Sequence, residues 1–261
     1  MLIGAHIKHY NSFDKLIDIC LSLNINVLQI FISNPLNRYF KKRSDYEYYN
    51  FRDMLKKHDI ITYFHSSYIC NLANKFSPNN WAVKLIIAEI TVGEMIDYKG
   101  SVIHVGKYKN LSISDAIYNM KQSIDYILDN TKFGKIIIET SSGQGTELFT
   151  NPTDIVYFIK SFDKDKQERL GLCVDTCHIF AAGHKLTHSI FSLPFISLIQ
   201  LNNSKTPFKS LIDRHENIED GYIKPKILLN IVETYGKSIP IVLETPNIQK
   251  DINYIFGELS K

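Results

Sequence analysis

Histidines and carboxylates recur in this sequence at the ends of short apolar runs, where ionisable groups are costly to bury without a partner. Reading along the chain, the runs finish on His6, His65, His104, Glu139, the Asp175/His178 pair, Gln200 and Glu244. One run, ending near Ser33 and Asn34, breaks the pattern, and a further pair, Asp213 and His215, lies in the loop after the seventh run. Taken singly, a histidine at a strand end is a hydrogen-bonded structural residue more often than a ligand. Glu139 and Glu244 resist that reading, because an ionised carboxylate closing Ile136-Ile137-Ile138 or Ile241-Val242-Leu243 needs an ion pair or a metal. Asp175 and His178 can supply two ligands from one turn, and Asp213 and His215 two from one side of an extended loop. Mixed imidazole and carboxylate donors suit Zn²⁺ or Mn²⁺ better than Mg²⁺ or Ca²⁺. The set exceeds what one ion can use, so two or three ions sharing a bridging carboxylate are expected. Such a cluster points to hydrolysis of a phosphate ester, where metals activate water and neutralise developing charge.

Residues this far apart in sequence share a site only if the fold gathers them. The strand candidates are 1–6, 26–33, 61–67, 101–106, 135–142, 170–178, 196–203 and 239–246. Several are almost continuously apolar, as parallel strands covered by helices on both faces are. Between them, 3.6-residue periodicity predicts helices over 12–23, with Ser12 as N-cap, over 114–128, and near 47–58, 80–97, 152–161 and 224–235. No Pro/Gly/Ser-rich linker interrupts the alternation. The expectation is one α/β domain over residues 1–261, a (β/α)8 TIM barrel whose strands present their carboxyl ends at one mouth. An open doubly wound sheet is the rival, and it would leave the first and eighth strands apart.

Bulk composition narrows the function less. With 261 residues, 44% hydrophobic and 22% charged, the chain is an ordinary globular one. A net charge of +3 neither demands nor excludes nucleic acid. Cys20, Cys70, Cys173 and Cys177 form no Cys-x-x-Cys pair and read as reduced thiols. That suits the cytoplasm, a nucleoid or a viral replication compartment rather than secretion. No apolar run approaches the ~20 residues that span a bilayer, so no membrane partner is expected. Met1–His6 reads as the first core strand rather than a leader. A monomer is the expectation.

Longer motifs are more specific. His65-Ser66-Ser67-Tyr68-Ile69-Cys70-Asn71-Leu72-Ala73, His104-Val105-Gly106 and Glu139-Thr140-Ser141-Ser142-Gly143-Gln144-Gly145-Thr146-Glu147 follow one another. Cys173-Val174-Asp175-Thr176-Cys177-His178-Ile179-Phe180-Ala181-Ala182-Gly183, Leu201-Asn202-Asn203-Ser204-Lys205, Asp213-Arg214-His215-Glu216 and Leu243-Glu244-Thr245-Pro246 complete the series. In these segments and their order the chain resembles the endonuclease IV family, the zinc-dependent apurinic/apyrimidinic (AP) endonucleases of base-excision repair. The resemblance implies a (β/α)8 barrel with up to three Zn²⁺ ions. It places His65, His104 and Glu139 on the first ion. Glu139 bridges to a second, with Asp175, Glu244 and the position held here by Gln200, and His178, Asp213 and His215 hold a third. His6 then supports a ligand rather than being one. The implied reaction is attack of a metal-bound hydroxide on the phosphate 5′ to an abasic site in duplex DNA, with Glu139, Asp175 and Glu244 as catalytic residues. It leaves a 3′-hydroxyl and a 5′-deoxyribose phosphate.

Two positions depart from the family pattern: Gln200 replaces a histidine and Asn203 an acid. An amide oxygen is a weaker donor to zinc than imidazole, so the second ion is expected to be held less tightly or replaced by Mn²⁺. For DNA contact, the loop after the second strand carries Asn34, Leu36 and Arg38 in a basic and aromatic stretch running to Arg43. Such a loop can grip phosphates and wedge a side chain into the stack. The resemblance aligns Leu36 with an inserting arginine and Tyr68 with a residue that probes the lesion, while Lys205 and Arg214 flank the metal loops as phosphate contacts. Two alternatives stand beside this reading. One is a metal-dependent sugar isomerase or epimerase of similar barrel fold, and the other an abasic-DNA-binding protein that has lost turnover through Gln200.

Overall fold

The computed structural model describes residues 1–8 and 12–261. Eight parallel strands close a barrel: β1 (Ile3–Ile7), β2 (Val27–Ile30), β3 (Ile61–His65), β4 (Ser101–Ile103), β5 (Ile136–Glu139), β6 (Leu170–Asp175), β7 (Ile196–Gln200) and, last in sequence, β10 (Ile241–Leu243). Between β7 and β10 the chain makes a small antiparallel hairpin, β8 (Asn203–Ser204) with β9 (His215–Glu216). Closure rests on the pairing of β1 with β10, Ile3 opposite Ile241 and Ala5 opposite Leu243. That pairing removes the open-sheet alternative.

Side chains alternate across a strand with a period of two, so one residue in two faces the barrel axis. An inner apolar cluster takes one residue from each of seven strands: Val27, Tyr63, Val102, Ile137, Cys173, Leu198 and Val242. On β1 the corresponding position is Gly4, opposite Val27 in the β1–β2 ladder. A Cβ there would sit 1.6 Å from the Val27 carbonyl oxygen, so only glycine fits. Two residues further along each of these eight positions come His6, Gln29, His65, His104, Glu139, Asp175, Gln200 and Glu244. An apolar plug therefore carries a polar rim directly above it, one residue per strand.

Helices cover the outside: α1 (Phe13–Leu23), α2 (Asp45–Lys57), α3 (Trp81–Met95), α4 (Ile113–Asp129), α5 (Pro152–Lys160), α6 (Lys164–Gln167), α7 (Thr176–Ala181), α8 (His188–Phe191), α9 (Pro225–Tyr235) and α10 (Ile248–Leu259). Ser12 caps α1 as expected, accepting from the Lys15 amide at 3.4 Å. Ser44 and Glu47 form a capping box that starts α2. Three differences from the sequence expectation bear on the site. β6 stops at Asp175 instead of reaching 178, because the Asp175 carboxylate accepts the His178 amide at 2.8 Å and starts α7. β1 runs one residue past its expected end, to Ile7, and the remaining strands end earlier, their last expected residues being mouth loops. α10, absent from the sequence expectation, packs Asp251, Ile252 and Ile255 inward. Among the described residues no helix is long and apolar enough to cross a membrane.

Candidate metal centre

The rim residues meet in three overlapping groups. His65, at the end of β3, and His104, just past β4, both direct Nε2 toward Glu139 Oε2, at 3.2 and 3.5 Å. The other Glu139 oxygen lies 3.0 Å from His178 Nδ1. Glu139 thus stands between imidazoles on both sides, as a bridging carboxylate must. His178 Nδ1 donates to the Thr140 carbonyl at 2.8 Å, which turns Nε2 toward Asp213 Oδ1 at 3.1 Å. His215 Nε2 lies 3.4 Å from the same Asp213 oxygen and 3.5 Å from Asp175 Oδ2. The ligand atoms of His65, His104 and Glu139, of Glu139, Asp175 and His178, and of His178, Asp213 and His215 each fall within 4.8 Å of one another.

Two features fit these groups to divalent cations. The buried nitrogens His178 Nε2 and His215 Nε2 make no hydrogen bond, although carboxylate oxygens stand next to them. A cation between nitrogen and oxygen completes such an arrangement. The donor set, imidazole plus carboxylate, is also the one that zinc and manganese take. Charge balance agrees. Burial alone would raise the Glu139 carboxyl, but the imidazoles of His104, His178 and His65 more than offset it and hold it well below the usual range. Burial would lower His178, and Asp175 and Asp213 instead drive it well above its ordinary value. Positive charge beside them keeps Glu139 and Asp213 ionised, whereas at Asp175 burial outweighs the imidazoles of His178 and His215 and raises the carboxyl.

Glu244 and Gln200 are oriented differently. Glu244 Oε1 accepts from His6 Nδ1 at 2.8 Å, from Gln200 Nε2 at 2.8 Å and from Gln29 Nε2. That oxygen is saturated, and only Oε2, 4.0 Å from His215 Nδ1, is left to face the centre. Gln200 uses both ends of its amide inside the barrel, its oxygen accepting from the Cys173 thiol at 3.2 Å. Cys177 brings its sulfur within 4.8 Å of Asp175 and His215 ligand atoms. Burial pushes its thiol up to about 12, so it stays protonated and donates to the Arg214 carbonyl at 3.5 Å.

The rim opens into a cavity of about 770 Å³ lined in part by Tyr68, Arg214, Lys8, Lys107 and Gln144. Tyr68 packs its ring against Phe31, His65 and His104, at centroid distances of 5.1, 5.5 and 5.5 Å. Leu36 projects from its loop at 71% exposure, whereas Arg38 places its guanidinium over the Trp81 ring, 4.8 Å from the centroid. Asn34 shapes that loop, its side chain accepting the Leu36 amide at 2.9 Å. Lys205 sits on the outer side of the hairpin, 3.9 Å from Glu216.

Several contributors escaped the sequence reading. Lys8 and Lys107 carried no motif of their own, and Gln144, inside the Glu139–Glu147 motif but assigned no role there, accepts the Asp213 amide at 2.9 Å. Asn202 donates to Asp175 Oδ2 at 2.6 Å and accepts the Glu244 amide at 2.8 Å, tying two rim acids together. Gln29 had a signal, since it lies two residues beyond Val27 as His65 lies two beyond Tyr63. The second run reads as ending near Ser33 only because Phe31 and Ile32 prolong its apolar character past the last inward-facing position.

Comparison with known proteins follows the same line. The family model of the xylose isomerase-like TIM barrel matches residues 17–258. A probable endonuclease 4 from Persephonella marina is 33% identical over 263 residues, covering 94% of this chain and 90% of that protein. Endonuclease IV from Thermus thermophilus superposes with a TM-score of 0.84 at 17% identity, over 100% of this chain and 98% of that one. A D-tagatose 3-epimerase-like protein superposes with a TM-score of 0.74, also at 17% identity, over 100% of this chain and 96% of its own. At that identity the likeness is one of fold alone, and the sequence relative discriminates where the barrel does not. Similarity at this level over nearly the whole length places the chain in the endonuclease IV family, within the xylose isomerase-like TIM barrels.

Proposed function

We propose that this protein is an AP endonuclease, acting as a monomer, that hydrolyses the phosphodiester 5′ to an abasic site in duplex DNA and leaves a 3′-hydroxyl and a 5′-deoxyribose phosphate. The observation that carries the reading is the convergence of His65, His104, Glu139, Asp175, His178, Asp213 and His215 at one rim, with two imidazole nitrogens unpaired beside carboxylates. His65, His104 and Glu139 would hold one ion, His178, Asp213 and His215 another, and Glu139, Asp175 and Glu244 Oε2 a third between them. Bound zinc-type cations supply Lewis-acid neutralisation of a phosphate and a water of lowered pKa. The chain's own residues do the rest. Glu139, Asp175 and Glu244 set the spacing across which the phosphate spans. Gln29, His6 and Gln200 fix one Glu244 oxygen so that the other faces the reaction. Lys8, Lys107 and Arg214 line the cavity and suit a polyanion. Leu36 and Tyr68 present apolar surface where a duplex missing one base leaves a gap. Gln200, with its amide turned inward, would leave the middle ion with carboxylate donors and no imidazole, a set that suits Mn²⁺ as well as zinc.

The test is a duplex carrying one tetrahydrofuran abasic analogue, with protein before and after chelation. Incision on the 5′ side, lost on chelation and restored by zinc or manganese, is the expected result. Binding without incision would instead support a lesion-binding protein. Neither binding nor incision would favour the sugar-processing reading, which the epimerase-like fold keeps open. Replacing Glu139 with Gln should reduce incision more than about 100-fold, beyond what loss of an outer hydrogen-bond partner of a metal ligand does. The far-UV circular dichroism should be unchanged.

A further inference from the structure

Among the described residues five carboxylates are buried: Glu139, Asp175 and Glu244 at the rim, Asp251, and Glu89. Asp251 is explained by the chain around it, since it accepts from the Ile218 amide at 3.1 Å and Asn217 Nδ2 at 2.9 Å. Glu89 is different. It lies wholly buried in α3, surrounded on its own helix by Leu85, Ile86, Ile90 and Val92. Burial pushes its carboxyl up to about 7. Stability alone gives little reason for an acid here, because desolvating a carboxylate is costly and an apolar side chain of similar volume is often the more stable choice.

Its two oxygens reach two different segments. Oε1 accepts the Ser33 hydroxyl, at the root of the loop that carries Leu36 and Arg38. Oε2 accepts the Ser66 hydroxyl at 2.6 Å. The Ser66 carbonyl in turn accepts from His65 Nδ1 at 2.8 Å. That bond fixes the His65 tautomer, leaving the lone pair on Nε2, the atom 3.2 Å from Glu139. Further contacts run the same way. The Pro35 carbonyl accepts from Ser67 Oγ at 2.8 Å and from the Tyr68 amide at 3.0 Å. Arg38 stacks on Trp81, the first residue of α3, and Trp81 is the chain's single tryptophan.

We propose that Glu89 is a positioning residue that couples the strand end bearing His65 to the duplex-facing loop 33–43, so that one buried carboxylate sets both the ligand and the wedge. The inference rests on the reading of His65 as a metal ligand. It predicts a pattern that a purely structural residue would not give. Loosening the carboxylate disturbs the metal and the loop together, without a matching loss of stability.

The experiment uses the full chain in four forms: wild type, Glu89→Met, Ser33→Ala and Arg38→Ala. Zinc affinity is read by competition with a chelator, Trp81 emission and acrylamide quenching report the loop, and thermal unfolding gives Tm. Arg38→Ala defines the signal of a Trp81 freed from its guanidinium. Glu89→Met is expected to lower zinc affinity about 10-fold. It should also move Trp81 toward the Arg38→Ala signal while its Tm holds or rises. Ser33→Ala should move Trp81 alone, and it carries the loop arm if Glu89→Met fails to fold. Wild-type zinc affinity and emission in both Glu89→Met and Ser33→Ala overturn the proposal. So does a Glu89→Met protein that loses Tm and zinc together with Trp81 unmoved, since Glu89 would then only support its strand. A wild type that shows the coupling yet leaves an abasic duplex uncut overturns the proposed function and not the coupling. A wild type that takes up no divalent cation removes both.

Discussion

Glu89 also makes a prediction at the scale of one titrating group. Its folded carboxyl titrates near 7, above the range of an unfolded glutamate. Between those values the native state binds more protons than the unfolded state, so stability falls as pH rises. The contribution is present in full below the ordinary carboxylate range and gone above about 7, a change on the order of 3 kcal/mol. The difference in unfolding free energy between wild type and Glu89→Met, measured from pH 4 to 8, should therefore shift in favour of the variant as pH rises. A constant difference would contradict the burial argument. Gln200 offers a second test. Its amide nitrogen is spent on Glu244 and its oxygen on Cys173, so the protein gains no donor from it at the rim. Gln200→His restores an imidazole above the inner plug and should raise the number of zinc ions retained through gel filtration. An unchanged metal content would mean that this position does not set occupancy.

At the level of elements, the strands and the helices differed in how readily the sequence displayed them. All eight barrel strands were legible because each is a compact apolar run with a polar terminus. Their ends were not, since Ser66, Thr140 and Thr176 continue the chain with β-compatible residues after the ladder has stopped. α10 was missed because its apolar positions, Ile248, Ile252, Ile255 and Phe256, are diluted by polar neighbours and follow directly on the Glu244-Thr245-Pro246 motif. The hairpin β8–β9 explains one departure from the family pattern. Asn203 donates through Nδ2 to the Ile218 and Ile223 carbonyls, at 2.7 and 2.8 Å, while its oxygen accepts the Ile223 amide at 2.8 Å. An acid there has no hydrogen to give those carbonyls. Asn203→Ala would take the side-chain partner from four buried backbone groups, the Ser204 amide included, and should cost on the order of 1–3 kcal/mol in denaturant unfolding. It should also weaken zinc retention, because His215, paired with Ser204, lies on the partner strand of the same hairpin. A variant with unchanged stability would remove the anchoring role.

Across the whole molecule, the candidate ligands were visible from sequence because polar groups that close apolar runs stand out, even where the residue at which the ladder stops does not. The electrostatic surface was not, because cavity cations such as Lys8 and Lys107 come from loops whose direction only the fold decides. Their contribution to duplex binding is measurable through salt. Each phosphate contact adds about 0.9 to the slope of log affinity against log salt concentration, so Lys107→Ala should flatten that slope by roughly one. An unaltered slope would place Lys107 in its ion pair with Glu147, 3.5 Å away, rather than on the nucleic acid. A last consequence comes from the uneven way the rim is mounted. His65, His104 and Glu139 stand at the ends of adjacent laddered strands and are preorganised by the closed sheet. Asp213 and His215 ride on a hairpin outside the barrel sheet, two ladder pairs long and tied down besides by Gln144 at the Asp213 amide and Cys177 at the Arg214 carbonyl. Assembly of the centre should accordingly run in one direction, strand-borne ligands loading first and the hairpin clasping shut last. Partial demetallation would then undo the steps in reverse, yielding a folded barrel with an open clasp.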